Sequence, residues 1–372
     1  MDYGLSEQQE MLKKTARDFL ITECPKSLVK KMVADERGYP LELWQKMAEL
    51  GWIGLVFPEK YGGSGCSFLD LAVLLEETGR ACLPGPFFAT VVVAGMIIME
   101  SGSEVQKKQL LPKIAQGKLV VTLALTEVDG GYCPDKVSAR AVANGSSYII
   151  RGTKLFVPYA HVADYIICVT KTVNGVSLFL VDARSPGIRY NLLRTIDGDK
   201  QFEVVFDKVE VPTVNIIGKE GQGNIPLRRV LAKAAVAKCA EMVGGAQQVL
   251  EMTVDYVKDR KQFGVPVGVF QAVQHHCANM LTDIDTSRFI TYKAAWKVSQ
   301  KLPFGKEAFM AKAWVSDAYK RVTKLGHQSM GGVSLMEDHD MPLYSRRAKA
   351  SELVFGDADF NREVVAQELG LV

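Results

Sequence analysis

LVVTLALTEVDGGYCPDKVSARAVANGSSYIIRG, residues 119–152, decides the fold, because here apolar and polar residues begin to alternate with a period of two. Val120–Leu125, Val137–Ala143 and Tyr148–Arg151 read as strands. Tyr165–Thr170, Val176–Val181 and Phe202–Phe206 continue the pattern to about Glu220. Asn144-Gly145 and Asn174-Gly175 are two-residue hairpin signals, since a tight turn needs residues that tolerate positive φ. The segment predicts a compact antiparallel β-domain.

Outward on both sides the period lengthens to that of a helix. Upstream, Ser6-Glu7-Gln8-Gln9 is an N-cap signature opening a helix through Phe19. Pro40-Leu41-Glu42-Leu43-Trp44 starts another that Gly51 stops, and Phe68–Thr78 and Ser103–Ile114 are further amphipathic stretches. Pro58–Gly65 is too rich in glycine to be regular. Downstream, Leu227–Arg260, Phe270–Gln300, Lys306–Met330 and Ser345–Leu369 read as long helices that pack as a bundle. The fold class is therefore α+β: an N-terminal helical domain (1–118), a middle barrel-like antiparallel β-domain (119–222) and a C-terminal four-helix-bundle domain (223–372).

Composition narrows the function. Hydrophobic residues make up 48% of the 372 and charged residues 23%, the balance of a soluble protein with a sizeable core. A net charge of +3, with acids and bases interspersed, favours neither nucleic acid nor an anionic membrane. Seven scattered cysteines, never spaced as CxxC, fit a reducing compartment rather than a disulfide framework or a zinc site. The start lacks a basic segment followed by an apolar run, and the apolar stretch Phe87–Met99 is too short to span a bilayer. The expectation is a cytoplasmic protein that holds no metal.

Seven short motifs run through the chain in order: Pro58-Glu59-Lys60-Tyr61-Gly62-Gly63; Leu125-Thr126-Glu127; Gly152-Thr153-Lys154-Leu155-Phe156; Val209-Glu210-Val211-Pro212 with Gly218–Gly223; Arg260-Lys261-Gln262-Phe263-Gly264; Phe270-Gln271; and Gln328-Ser329-Met330-Gly331-Gly332. Their order and spacing resemble the flavin-dependent acyl-CoA dehydrogenase family over essentially the whole chain. The resemblance implies FAD held between subunits, with the flavin against one β-domain and the ADP half clamped by a neighbour's C-terminal domain. It also implies an acyl-CoA substrate, a carboxylate that removes its α-proton, hydride transfer to FAD, and an electron-transfer flavoprotein as acceptor.

Carried over residue by residue, the resemblance divides. Arg260, Phe263, Gln271, Gln328, Gly331 and Gly332 match contacts to the ADP half, where a guanidinium fork and bare backbone suit a pyrophosphate. Thr126 and Phe156 match residues beside the flavin ring. Pro158 stands where the family has a hydroxyl residue toward flavin N5, and it offers neither hydroxyl nor N–H. Gly131-Tyr132-Cys133 replaces a Gly-Ser-Asp, setting a bulkier Tyr132 in a tight place. The two positions at which relatives carry the catalytic glutamate are Phe355 and Ala234, with Ala235 beside the latter. Neither accepts a proton, so the catalytic base is unknown. Glu241, Asp357 and Asp359 are weighed as substitutes and read as solvated charges or caps. His275-His276 reads as packing or capping, and Glu337-Asp338-His339-Asp340 as a polar loop.

Three readings follow. In one, the chain is a base-less half-site subunit of a heteromeric enzyme, paired with a homologous chain (α2β2) that supplies the flavin bed and glutamate. In another, it is a self-tetramer of altered chemistry, decarboxylating or lyase-type, whose substrate needs no base. In the third, it is a binding or structural protein that has lost the cofactor.

Overall fold

The computed structural model describes residues 4–129, 131 and 133–371. The chain packs as two compact units, each drawn from separate stretches. One holds residues up to Lys30, Ser67–Leu83 and Ala235 onward; the other holds Lys31–Cys66 and Pro84–Ala234.

The first unit is helical. It contains α1 (Glu7–Glu23), the start of α2 (Lys26–Ala34), and, after α3 (Leu41–Glu49) of the other unit, α4 (Phe68–Ala81). Ser6 and Gln9 close a capping box at the start of α1, and Ser67 and Asp70 do the same for α4, as serine before an amide or acid three residues on dictates. Two carboxylates of α4 are almost fully buried, and each is met by cations of its own unit. Glu76 accepts from Lys13 (3.0 Å), Arg288 (3.2 Å) and the Tyr292 hydroxyl (2.6 Å), while Glu77 takes both arms of Arg17 (2.8 and 2.9 Å). Burial alone would raise the Glu76 carboxyl, but these partners hold it below the usual carboxylate range. The pairing is obligatory, because a buried carboxylate without a partner costs several kcal/mol. Two glycines let α4 cross the long helix α7 (Asn224–Asp259) backbone to backbone. A Cβ on Gly79 would lie 1.9 Å from the Glu241 carbonyl oxygen, and one on Gly244 1.7 Å from that of Glu76. The helices α8 (Gln271–Ser299), α9 (Gly305–Met330), α10 (Met341–Leu353) and α11 (Ala358–Glu368) complete the unit.

The second unit is built on one sheet. After the π-helical turns Phe88–Gly95, α5 (Met96–Ser101) and α6 (Glu104–Ala115) come β1 (Val121–Ala124), β2 (Arg140–Asn144), β3 (Ser147–Pro158), β4 (Tyr165–Thr172), β5 (Gly175–Asp182), β6 (Ile188–Leu193), β7 (Gln201–Pro212) and β8 (Ile216–Ile217). Their order is β6-β7-β3-β2-β4-β5-β8, with β1 also on β4. Most pairs are antiparallel, but β1 and β2 join β4 in parallel. Inward residues such as Ile150, Phe179, Val204 and Phe206 form a continuous apolar core.

Within that unit a buried ion pair ties β3 to the segment that leaves β1. The Lys154 ammonium, fully buried, donates to Glu127 at 2.6 Å and to the Leu125 carbonyl at 3.2 Å. Glu127 in turn accepts from the Ser138 N–H and hydroxyl and from the Ala139 N–H. Burial would raise the Glu127 carboxyl, yet Lys154 and Ser138 hold it below its ordinary value.

The sequence reading meets four differences. Both expected hairpins occur, but their turns are Gly145-Ser146 and Val173-Asn174, one residue from the Asn-Gly pairs in opposite directions. Helix α2 and strand β6 were not expected; α2 is short and charged, and no residue of β6 is fully buried. The apolar run at Phe88 forms π-turns, buried on every side and so without a periodic face. The single helix expected over Ser345–Leu369 is two, broken at Val354–Asp357, where Phe355 (φ 60°) and Gly356 (φ 93°) turn left-handed and Asp357 caps α11 through the Phe360 N–H. Among the described residues no helix is long and apolar enough to cross a membrane.

Lys154→Met should destabilise the protein by about 3–5 kcal/mol in urea unfolding, because it leaves Glu127 buried and unpaired. The Glu127 carboxyl lies below its unfolded value, so its contribution is complete above about pH 4.3 and is lost as pH falls through the folded value. Wild type should therefore lose more stability than Lys154→Met on acidification.

Candidate cofactor and catalytic site

Six expected residues gather in the helical unit. Arg260 follows the last turn of α7, its N–H bonded to the Tyr256 carbonyl at 2.8 Å. The chain then folds back as a short hairpin of β9 (Lys261–Gln262) and β10 (Val265–Pro266). Its two turn residues, Phe263 and Gly264, have φ of 53° and 82°, both left-handed as a type I′ turn requires. Phenylalanine is poorly suited to that conformation, and its ring is 92% exposed. Phe263 meets Phe270 edge to face at 6.1 Å, which sets the hairpin beside Gln271, the first residue of α8.

The other end of the cluster is the C-terminus of α9. Gly331 ends that helix at φ 69°, ψ −154°, a backbone region open essentially to glycine alone. Two histidine–serine pairs fix the surroundings. His276 of α8 bonds Ser329 (3.3 Å), and His327 bonds Ser334 across the turn (2.9 Å). Both hydroxyls already donate to carbonyls, Ser329 to Leu325 and Ser334 to Gly331, so each histidine Nδ1 is the donor. His276 thus ties α8 to the C-terminal turn of α9. The two pairs were not foreseen, since contact between α8 and α9 cannot be read from spacing.

The donors of this cluster are free. Among the described residues the side chains of Arg260, Gln271 and Gln328 make no hydrogen bond or ion pair, and all three are exposed. A Cβ at Gly332 would meet nothing within 4 Å, and Gly332 has no left-handed φ, so the chain itself imposes no need for glycine there. Exposed guanidinium and amide donors beside bare backbone fit the pyrophosphate and adenosine of a dinucleotide.

The residues expected beside the flavin lie in the β-unit. Thr126 follows β1, its carbonyl accepting the Leu155 N–H at 2.8 Å, and its hydroxyl has no partner among the described residues. Phe156 sits at an irregularity between Lys154 and Val157 with φ 55°, its ring 52% exposed. Pro158 ends β3, and its carbonyl accepts from the Thr122 hydroxyl at 2.7 Å. No donor exists at that position. Tyr132 lies outside the described residues, and its neighbour Gly131 has φ 53°.

Neither position expected for the glutamate, Ala234 or Phe355, carries an acid. Ala234 is wholly buried in α7, with Ala235 beside it. Phe355 occupies the left-handed break between α10 and α11. Beneath that break lies Lys312, fully buried, whose ammonium donates to the carbonyls of Glu352 (2.9 Å) and Gly356 (2.8 Å) and to the Ser316 hydroxyl (3.0 Å). Burial pushes Lys312 down to about 8. The break is tight: a Cβ on Gly356 would approach Phe360 to 2.4 Å. Sequence reasoning passed over Lys312, although a lysine inside the buried stripe Ala308, Ala311, Val315, Tyr319 was a signal. The weighed substitutes are occupied otherwise. Glu241 pairs with Lys238, Asp357 caps α11, and Asp359 pairs with Arg362 (2.7 Å). No cluster of three or more potential metal ligands occurs among the described residues, Glu337–Asp340 included.

Comparison with known proteins identifies the domains and the fold. The family models for the N-terminal, middle and C-terminal domains of acyl-CoA dehydrogenases match residues 6–118, 122–209 and 221–370. The acryloyl-CoA reductase (NADH) of Anaerotignum propionicum is 30% identical, over 99% of this chain and 96% of its own. The structure of butyryl-CoA dehydrogenase from Megasphaera elsdenii superposes with a TM-score of 0.93 at 28% identity, covering 99% of this chain and 100% of that one. A chain of the ChsE4-ChsE5 complex from Mycobacterium tuberculosis gives 0.92 at 25% identity, covering 100% of this chain and 100% of that one.

Lys312→Met should leave the Glu352 and Gly356 carbonyls unsatisfied and cost about 1–3 kcal/mol. Hydrogen exchange should show faster exchange at Phe360 and Asn361, whose N–H groups bond Asp357, with α7 unaffected.

Proposed function

The chain belongs to the acyl-CoA dehydrogenase family, FAD-dependent oxidoreductases acting on the CH–CH group, and we propose that it serves as the base-less half-site subunit of a heteromeric member. The observation that carries the proposal is asymmetric loss. The residues matched to the ADP half keep free donors and bare backbone, whereas position 158 has no donor and position 355 no proton acceptor. A chain drifting away from its cofactor would lose both kinds together. A chain that lends Arg260, Phe263, Gln271 and Gln328 to a site completed by a homologous partner keeps only the first. The likeness to the two-chain ChsE4-ChsE5 complex supports the same assembly.

In this reading bound FAD would supply the acceptor for the acyl β-hydride, with an electron-transfer flavoprotein as its oxidant. The exposed Arg260 fork neutralises the pyrophosphate, and the Gln271 and Gln328 amides orient the ADP half. The left-handed Phe263 holds its ring out from the hairpin, where an apolar face of the bound dinucleotide or of the partner chain covers it. The partner's glutamate removes the α-proton of an acyl-CoA thioester. Phe355 closes the corresponding position in this chain, so one site per pair of chains is productive.

Two variants of the co-expressed assembly test this. Arg260→Ala should weaken FAD retention about 30-fold on dialysis, the loss of a charge-assisted contact of about 2 kcal/mol; unchanged flavin content contradicts the clamp. Phe355→Glu should leave turnover per FAD unchanged, because Pro158 still offers no donor. A second productive site gained by that single change contradicts the half-site assignment.

A further inference from the structure

The outer face of the β-unit carries charges that neither the fold nor the proposed site uses. Arg140 on β2 is paired directly with Arg151 on β3 and, on its other side, with Lys171 on β4, where the Lys171 N–H bonds the Ala139 carbonyl at 2.8 Å. Residues opposite one another emerge on the same face, and like charges so placed destabilise a sheet. All three side chains are exposed, and among the described residues none makes a hydrogen bond or an ion pair. The acids of β7, which flanks β3, are engaged elsewhere: Asp207 with Arg189 (3.7 Å), Glu210 with Ser147 (2.6 Å) and Glu203 with Asn191 (2.7 Å). The register shift between Ile150 and Gly152 is a bulge on β7, where Asp207 and the left-handed Lys208 (φ 58°) lie opposite the single residue Arg151.

Two valines accompany the cations. Val142, two residues beyond Arg140 on the same strand face, is 63% exposed, and Val173, two residues beyond Lys171 in the β4–β5 turn, is 99% exposed. We propose that this face is an interaction surface for an acidic segment of a protein partner, one in which apolar side chains are interspersed among the carboxylates. Carboxylates would supply the counter-charge that the sheet lacks, and the valines take the apolar side chains. A nucleic acid fits less well, because the patch has three cations rather than a long basic stripe and no aromatic ring for base stacking.

The test is fluorescence anisotropy of the full chain with a labelled peptide of repeating Glu-Glu-Leu units, its Gln-Gln-Leu counterpart, and an oligothymidylate of equal length. The triple variant Arg140→Ser/Arg151→Ser/Lys171→Ser should bind the acidic peptide about tenfold more weakly, as three exposed charge pairs allow. The control Lys301→Ser/Lys306→Ser/Lys324→Ser, which removes equal charge elsewhere, should bind like wild type, and the glutamine peptide should not bind. Relief of like-charge repulsion should leave the thermal midpoint of the first variant equal or higher. Equal losses in both variants, or unchanged binding in the first, overturn the proposal. So does a lowered midpoint, which would make the cations part of the fold, or an oligothymidylate held as tightly through the same residues.

Discussion

The break between α10 and α11 depends on one buried cation. Lys312 reaches up from α9 and binds the carbonyls on both sides of Phe355, so the backbone there is tied at Glu352 and Gly356 and can pass through left-handed φ at two successive residues. An ammonium taken from water must have all its donors satisfied, and three acceptors supply that. What the tie holds is Phe355, the position matched by resemblance to the family's base. In the proposed half-site reading the loop is kept for docking in the assembly, while its side chain takes no proton.

The motifs that reveal the family are for the most part structural, not chemical. Glu127 and Lys154, in two of the seven segments, are each other's buried partners, next to Thr126 and two residues before Phe156. Gly63 is required because a Cβ would lie 2.1 Å from the Phe57 carbonyl oxygen. Such residues survive as long as the fold does. Arg260, Gln271, Gln328 and Gly332 differ in kind, since among the described residues no side chain pairs with the first three and none packs where a Cβ of Gly332 would lie.

That distinction also sets what could be read from sequence. Periodicity located β7 and the long helices because their buried faces are regular, as along β7 and α9. It failed at the Phe88 π-turns, which are buried all round, and at β6, which is half exposed. The hairpins were legible as Asn-Gly pairs, but their register was not, because the flanking strand pairing fixes which two residues turn. The cluster of Arg260, Phe263, Gln271 and Gln328 was legible from motif spacing. The histidine–serine pairs and Lys312 were not, since they depend on which helices come side by side. The split of the last helix was the consequential miss, and Gly356 followed by Asp357, a left-handed stop and an N-cap, was its signal.

The most direct test of the half-site account is the flavin stoichiometry of the chain purified alone and then with a homologous partner bearing the glutamate. The account predicts a colourless chain on its own and about one FAD per pair of chains in the complex. A lone chain that is yellow, with about one FAD per chain, contradicts it: the flavin bed would then function despite Pro158, and the chemistry would have to dispense with a base.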